Sequence, residues 1–525
     1  MKSRSLFPVL GVIALAACSK HWPMYRHNVL RSGGQINKSD LSDPAKVPAL
    51  ALRWTFTAPA GDAAAGVDRG FRASPIAYEG RVYIGSGNGR MYALDAATGA
   101  VLWKFPAPPA APLRSQFVCN PSSQGIASSA AFAKIAGTDA IIFGAPDPTA
   151  GTGLGEGRLF AINAATGTVI WRSPVVAQLT GTTGGSMTQL HQQIGYSSPV
   201  VYNDRIFIGV ADHCDNPIQK GRIVSLRLSD GSIDAAFTYC STGACTDSTR
   251  GGGVWSGVAV WDDGVYATTG NTNIGGPEPS PNHGLSLLKL NRTSGSVMWK
   301  FQPVPYVLDW DPDWSSGPNV MSTSCGLLAV STMKDGWTHA IDARSGTRRW
   351  TFPTATIPFS SGDGTVHGDT DYRRAGAAWG DVFITSTGGL TVSSHLSAGF
   401  SRLQALNVCA APTDRIRWIV DIPTATGAWT LGPPTVTRGM VYVGTSAGHL
   451  IAIADPSIAP GVGWRCSNVD VLTANCVASG YALVPQPAVL KDIALTGSML
   501  YTEPAIADGR LFVATGAGNV YMLRP

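Results

Sequence analysis

Residues 306–319 read YVLDWDPDWSSGPN, in which three aspartates, Asp309, Asp311 and Asp313, alternate with Trp310, Pro312 and Trp314. Pro312 biases the residue before it toward an extended backbone, and in an extended chain alternate side chains share one side, successive ones roughly 7 Å apart. Two carboxylates at that spacing repel by about 0.6 kcal/mol in water and about 2.4 kcal/mol at an effective dielectric of 20. A sheltered cluster of this kind calls for a cation or a proton. Asn271 in TGNTN (269–273) and Asp215 in HCDNP (213–217) add hard oxygens, and with Asp311 and Asp313 they suit Ca2+ or a larger trivalent ion. Trp255 follows three glycines in RGGGVW (250–255), which let the chain turn tightly and present an indole. Lys334 in MKDG (333–336) is a mobile point charge able to donate to an electron-rich oxygen, and Arg72 and Arg250 are further cations suited to a polycarboxylate.

These residues need a scaffold, and the chain repeats one. Residues 74–105, SPIAYEGRVYIGSGNGRMYALDAATGAVLWKF, read as four short alternating strands, SPIAY, RVYIGS, RMYALD and VLWKF, with turn signals between them. The same grammar returns in GRLFAINAATGTVIWRSPV, in SSPVVYNDRIFIGV through GSIDAAF, in LSLLKLNRTSGSVMWKF, and so on to SMLYTEPAIADGRLFVATGAGNVYMLRP, which stops after a third strand. ALRWTF (51–56) matches VLWKF and supplies the missing fourth strand, a closure that removes the open edge of a ring. The expectation is an all-β, eight-bladed β-propeller of four-stranded blades over residues 50–525, closed by an N-terminal strand. Trp103, Trp171, Trp299, Trp350, Trp418 and Trp464 recur once per blade and are assigned to packing between blades, Trp464 closing the seventh. In such blades the loop before the first strand and the loop between the second and third emerge on one face. Asp215, Arg250, Trp255, Asn271, the DWDPDW run and Lys334 all belong to those two loop classes, over three consecutive blades.

The unit VYIGSGNGRMYALDAATGAVLWKF resembles the repeat of the pyrroloquinoline quinone (PQQ) enzyme superfamily, which includes methanol, ethanol and polyvinyl-alcohol dehydrogenases. GGGVWSGVAVWDDGVYATTGN is similar to the segment in which a Trp floors PQQ and an Asn ligates the metal, which carries to Trp255 and Asn271. LDWDPDW looks like the family's Trp-Asp-aromatic-Asp or Trp-Asp-aromatic-Ala segment, so Asp311 matches the catalytic base, and Asp313 matches the second aspartate seen where a lanthanide replaces calcium. Lys334 falls where an Arg or Lys contacts the quinone. The resemblance therefore implies PQQ with Ca2+ or a lanthanide, and oxidation of a small or polymeric alcohol in which Asp311 takes the hydroxyl proton. Two departures stand out: adjacent cysteines are absent, and the family's metal-binding Glu is replaced near HCDNP by Asp215 and Asn216. GGGVW with HCDNP is nearest the polyvinyl-alcohol dehydrogenase branch, here without a haem domain, so electrons would go to a separate acceptor such as a periplasmic cytochrome c. Non-catalytic relatives share the repeat, which leaves a protein-binding or envelope-assembly scaffold as the alternative.

The first residues, MKSRSLFPVLGVIALAACSK, combine a basic start, a short apolar run and LAAC ending at Cys18, the pattern of an export signal. Small residues before a cysteine resemble a bacterial lipobox, which implies a signal peptide over 1–17, lipidation of Cys18, and a lipid-anchor segment and lead-in over 18–49. The expected place is the periplasm, on the outer membrane through the lipid alone. The remaining eight cysteines suggest disulfides: Cys240 with Cys245 and Cys466 with Cys476 locally, then Cys119 with Cys214 and Cys325 with Cys409. No Cys-x-x-Cys-His motif for covalent haem occurs. The formal charge of +5 falls to +3 once Lys2 and Arg4 leave with the signal, and no basic run exceeds two residues, which excludes nucleic acid as a partner. GTSAG (444–448) has the spacing of a hydrolase elbow, yet a strand rather than a helix follows it.

Overall fold

The computed structural model describes residues 20–60, 69–114, 125–149, 155–177, 194, 196–212, 218–245, 249–271, 282–303, 313–314, 316–334, 337–353, 376–387, 400–423, 431–454 and 487–525. Their strands form eight antiparallel blades in a ring, each of four strands with the first innermost, and one blade carries a fifth. Blade one comprises Ile76–Tyr78, Arg81–Gly85, Met91–Asp95 and Val101–Phe105. The next six span 131–172, 200–240, 259–301, 319–353, 377–423 and 435–494. In blade eight Ala51–Thr57 pairs antiparallel with Asn519–Arg524, setting Leu52 opposite Leu523 and Phe56 opposite Val520. The closure inferred from ALRWTF is thus present.

The middle strands of each blade are covered on both faces by neighbouring blades, so they are apolar almost throughout. Met91, Tyr92, Ala93 and Leu94 are all buried, whereas in the outer strand Val101 and Leu102 are exposed and the remaining three residues half-buried. The recurring tryptophans pin blade to blade. The indole N–H of Trp54 donates to Ala96 O, Trp103 to Ala164 O, Trp171 to Leu228 O, Trp299 to Ala343 O and Trp350 to Val408 O, at 2.8 to 3.2 Å. Gly167, at φ +73°, shows why the turn beneath the Trp103 indole needs glycine: a Cβ there would meet the ring at 2.8 Å.

Two outer strands differ from the sequence reading. In blade seven the fourth strand is Val489–Ala494, paired with His449–Ala454, rather than the segment of Trp464; the alternation in VLKDIA supplies the pairing without an aromatic, and Trp464 lies outside the described residues. In blade three the outer strand is Tyr239–Cys240, and from the expected IDAAF stretch only Ile233 bridges Leu226. Cys240 is joined there to Cys245, and Cys325 to Cys409, as expected; the pairs 119–214 and 466–476 fall outside the described residues. Among those residues no helix is long and apolar enough to cross a membrane.

The stretch 20–35 lies across the propeller axis. An innermost strand has one unpaired edge facing the channel, whose amides and carbonyls need partners, and this stretch provides them. Trp22 exchanges backbone hydrogen bonds with Ala77, and Phe132, Val260, Val320, Ala378 and Val436 donate to the carbonyls of Pro23, Val29, Leu30, Ser32 and Gly33. Gly34–Gln35 adds in parallel to Thr435–Thr437 as the fifth strand of blade seven, and the Gln35 amide donates to Ile506 O. Arg31 completes the circuit by donating to Ser198 O and Pro199 O of blade three and Val258 O of blade four. Arg26 is fully buried against Glu503, with its Nη1 2.6 Å from Oε2, and also donates to Pro434 O and Gly376 O.

Candidate functional site

The glycines before Trp255 thread between two blades. Gly251 N–H donates to Gln219 O and Gly221 N–H to Gly251 O, while Gly252 N–H donates to Asn271 O at 2.6 Å and Gly270 N–H to Gly253 O at 2.8 Å. Side chains are excluded by contact: a Cβ on Gly221 would stand 1.8 Å from Gly252 O. The chain then releases Trp255, whose indole N–H donates to Asp313 Oδ2 at 3.0 Å. Asp313 is 4% exposed, and its other oxygen is 2.6 Å from Lys334 Nζ. Local backbone geometry fixes that pair. Lys334 N–H donates to Asp313 O at 3.1 Å, and the neighbouring Trp314 and Met333 form an antiparallel bridge.

Trp314 is buried edge-on to His339, ring centroids 5.4 Å apart. Burial holds the His339 imidazole down to about 3, so it stays neutral beneath the charged pair. Asn271 is also buried, and the residue before it touches the cluster: a Cβ on Gly270 would lie 3.4 Å from Asp313 Oδ2 and 3.5 Å from Trp255 Cδ1. Four of the residues singled out by sequence, Trp255, Asn271, Asp313 and Lys334, therefore converge. They come from the entry loops of blades four and five and the loops after their second strands.

Beside Trp255, on the axis, lies a pocket whose lining includes Tyr25, Arg72, Tyr196, Trp255 and Tyr501. Tyr196 and Tyr501 are stacked within 2° of parallel, centroids 5.3 Å apart, and the Arg72 guanidinium sits 5.7 Å from the Tyr501 centroid. Arg250 is half-buried on the same connection as Trp255 and does not line this pocket. Asp311, Asp309, Asp215 and Cys18 lie outside the described residues. Among the described residues no group of three or more His, Cys, Asp or Glu side chains is placed to hold a metal ion. The hard oxygens present are the Asp313 carboxylate and the Asn271 amide, and Asp311 is two positions from Asp313.

Tyr196, Tyr501 and Tyr25 were not singled out by sequence. The first two precede the innermost strands of blades three and eight, so the face rule that gathered Trp255 and the aspartates would have found them. Tyr25 carried no such signal, because it belongs to a stretch outside the repeat.

Comparison with known proteins agrees with the repeat. The PQQ family described as glucose/ethanol/alcohol dehydrogenase, beta-propeller domain, matches residues 22–326, and that of the outer membrane protein assembly factor BamB matches residues 334–457. The quinoprotein alcohol dehydrogenase PedH of Pseudomonas putida is 25% identical over 316 residues, 54% of this chain and 46% of that protein. The dehydrogenase subunit of the quinone alcohol dehydrogenase of Gluconacetobacter polyoxogenes is 23% identical over 354 residues, 59% and 42% of the two chains. The matched region thus spans less than half the length of these relatives. Among solved structures, the quinohemoprotein alcohol dehydrogenase of Comamonas testosteroni superimposes with a TM-score of 0.66 at 15% identity, covering 98% of this chain and 81% of that one. A europium-containing methanol dehydrogenase gives 0.62 at 15%, covering 98% and 100%. At these identities the superpositions speak for the fold.

Proposed function

This chain belongs to the glucose/ethanol/alcohol dehydrogenase β-propeller family, and from that premise we propose that it is a PQQ-dependent dehydrogenase of a primary or secondary alcohol, small or polymeric. The observation that carries the proposal is the contact of Trp255 and Lys334 with one buried aspartate, Asp313, beside an aromatic pocket on the axis. That carboxylate is buried between an indole and an ammonium, where an ion pair adds little stability over an apolar packing.

The residues fit a planar, polyanionic quinone and its metal. Trp255 would take the face of the ring system, Arg72, Arg250 and Lys334 its carboxylate and carbonyl oxygens, and Asn271, Asp311, Asp313 and Asp215 would furnish oxygens to Ca2+ or a lanthanide. Such a quinone supplies a two-electron acceptor that no side chain offers. The chain's own part is to position and to move a proton. Asp311 takes the proton of the alcohol hydroxyl as general base. Lys334 and the Trp255 indole N–H each contact one oxygen of Asp313, so a cation drawing on Asp313 would compete with these donors.

The test is fluorescence titration of the mature protein with PQQ and Ca2+, followed by dye reduction with a series of alcohols. Quenching with turnover is expected; neither binding nor turnover with any alcohol would falsify the assignment. Asp311→Asn should abolish turnover and keep quinone binding. The export signal supports a periplasmic lipoprotein, anchored to the outer membrane through Cys18 and passing electrons to an external cytochrome c. Cys18→Ser should move the protein from the membrane to the soluble fraction. A second reading, an envelope-assembly scaffold, draws on the match of residues 334–457 to BamB, and it predicts no quinone binding in the same titration.

A further inference from the structure

The stretch that closes the axis also contributes to the pocket. Tyr25 belongs to the lining together with Trp255, Tyr196, Tyr501 and Arg72, so residues from the N-terminal stretch and from entry loops around the ring face one space. Tyr25 is held by Arg31. Its carbonyl accepts from Arg31 Nη1 at 2.7 Å, and the Arg31 guanidinium lies 5.5 Å from the centre of its ring. Its neighbour Arg26 is buried against Glu503, and Glu503 is two residues from Tyr501, which lines the pocket too.

The lining has a definite chemistry. Tyr196 and Tyr501 form one flat aromatic block, Trp255 and Tyr25 add two more rings, and Arg72 supplies a cation beside Tyr501. Aromatic walls with a guanidinium suit a planar aromatic anion.

Resting on the quinone reading above, we propose that Tyr25 is a ligand-contacting residue and that residues 20–35 are the floor of the binding site. Seating of this stretch and binding of the planar anion then favour one another. The coupling follows from linkage: a ligand that touches both Tyr25 and the blades binds the seated form better than the unseated one, and it stabilises the seated form by the same factor.

Two measurements test this with PQQ as the probe. In fluorescence titrations Tyr25→Ala should raise the Kd about tenfold, the loss of one aromatic contact, while Tyr25→Phe stays within about twofold of wild type. Hydrogen exchange on the wild-type protein needs no variant to fold. The amides of His27, Arg31 and Gly33, which hydrogen-bond within the stretch, should exchange at least about tenfold more slowly when PQQ is supplied at about 100 times its Kd. If wild type binds PQQ but its 20–35 amides exchange unchanged, or folded Tyr25→Ala binds as tightly as wild type, the floor assignment is wrong and the quinone reading stands. If wild type shows no PQQ binding at all, both fall together.

Discussion

Glu503→Gln isolates the ion pair at the centre of the ring. Arg26 and Glu503 are 1% and 0% exposed, with Nη1 2.6 Å from Oε2, and Arg26 N–H donates to the other carboxylate oxygen at 2.5 Å. The substitution keeps the shape and one acceptor oxygen and removes the negative charge. At an effective dielectric of 20 and about 4 Å between charge centres, the lost attraction is about 4 kcal/mol, and removing one member of a buried pair is known to cost about 3–5 kcal/mol. Arg26 retains the carbonyls of Pro434 and Gly376, which places the expected loss near the lower value, about 3 kcal/mol. With an unfolding entropy of about 2.1 cal/mol/K per residue over roughly 500 residues, that corresponds to a Tm lower by about 3 °C. Urea unfolding followed by tryptophan fluorescence reads the same quantity as a shift in midpoint at constant slope. Adding Arg26→Met removes the orphaned cation, so the double variant should be more stable than the sum of the single losses predicts, by about 2 kcal/mol or more. A loss under about 1 kcal/mol for Glu503→Gln, or strict additivity in the double variant, would refute the view that this pair fastens the N-terminal stretch into the axis.

Lys334→Met leaves Asp313 with the Trp255 indole as its charge-assisted donor, and in chelator it should lower stability by about 2–3 kcal/mol. Asp313→Asn should cost less, because the Lys334 side chain is 18% exposed against 5% for the Asp313 side chain and can turn its ammonium to water; comparing the two urea midpoints decides the order. His27 is buried, and desolvation brings it down to about 4, below the 6.5 of the unfolded chain. The unfolded state therefore binds the extra proton between those values, so stability is whole above pH 6.5 and falls by up to about 3 kcal/mol as the pH drops to 4. His27→Leu should flatten that slope by about one proton, and an unchanged slope would assign the acid sensitivity elsewhere. Gly167→Ala drives a Cβ to 2.8 Å from the Trp103 ring at φ +73°, whereas at Gly80, φ +75°, nothing lies within 4 Å. The first should cost about 2–3 kcal/mol and the second about 1 kcal/mol of backbone strain, a difference that calorimetry of the pair will show.

Much of the ring was legible because each blade writes its own signal. Alternation, turn glycines and a tryptophan near each outer strand are local features, and a unit that repeats makes them additive. The signal failed where the repeat was interrupted. Blade seven closes on VLKDIA instead of the Trp464 segment, and blade three on Tyr239–Cys240, where the Cys240–Cys245 link begins, since pairing needs only an edge in reach and not the aromatic that marks it elsewhere.

The candidate site divides the same way. Sequence put Trp255, Asn271, Asp313 and Lys334 on one face, because the loop order of a four-stranded blade fixes the face before any distance is known. Distances came from the fold alone. That Lys334 and the Trp255 indole take the two oxygens of one buried aspartate depends on how neighbouring blades tilt together, and a repeat does not encode that tilt. The N-terminal stretch is the clearest case. Its residues have no period and no motif, and read alone they are a lead-in. Only the closed ring creates a channel edged with unpaired amides and carbonyls, and only then do WPMYRHNVLRSGGQ acquire partners in every blade.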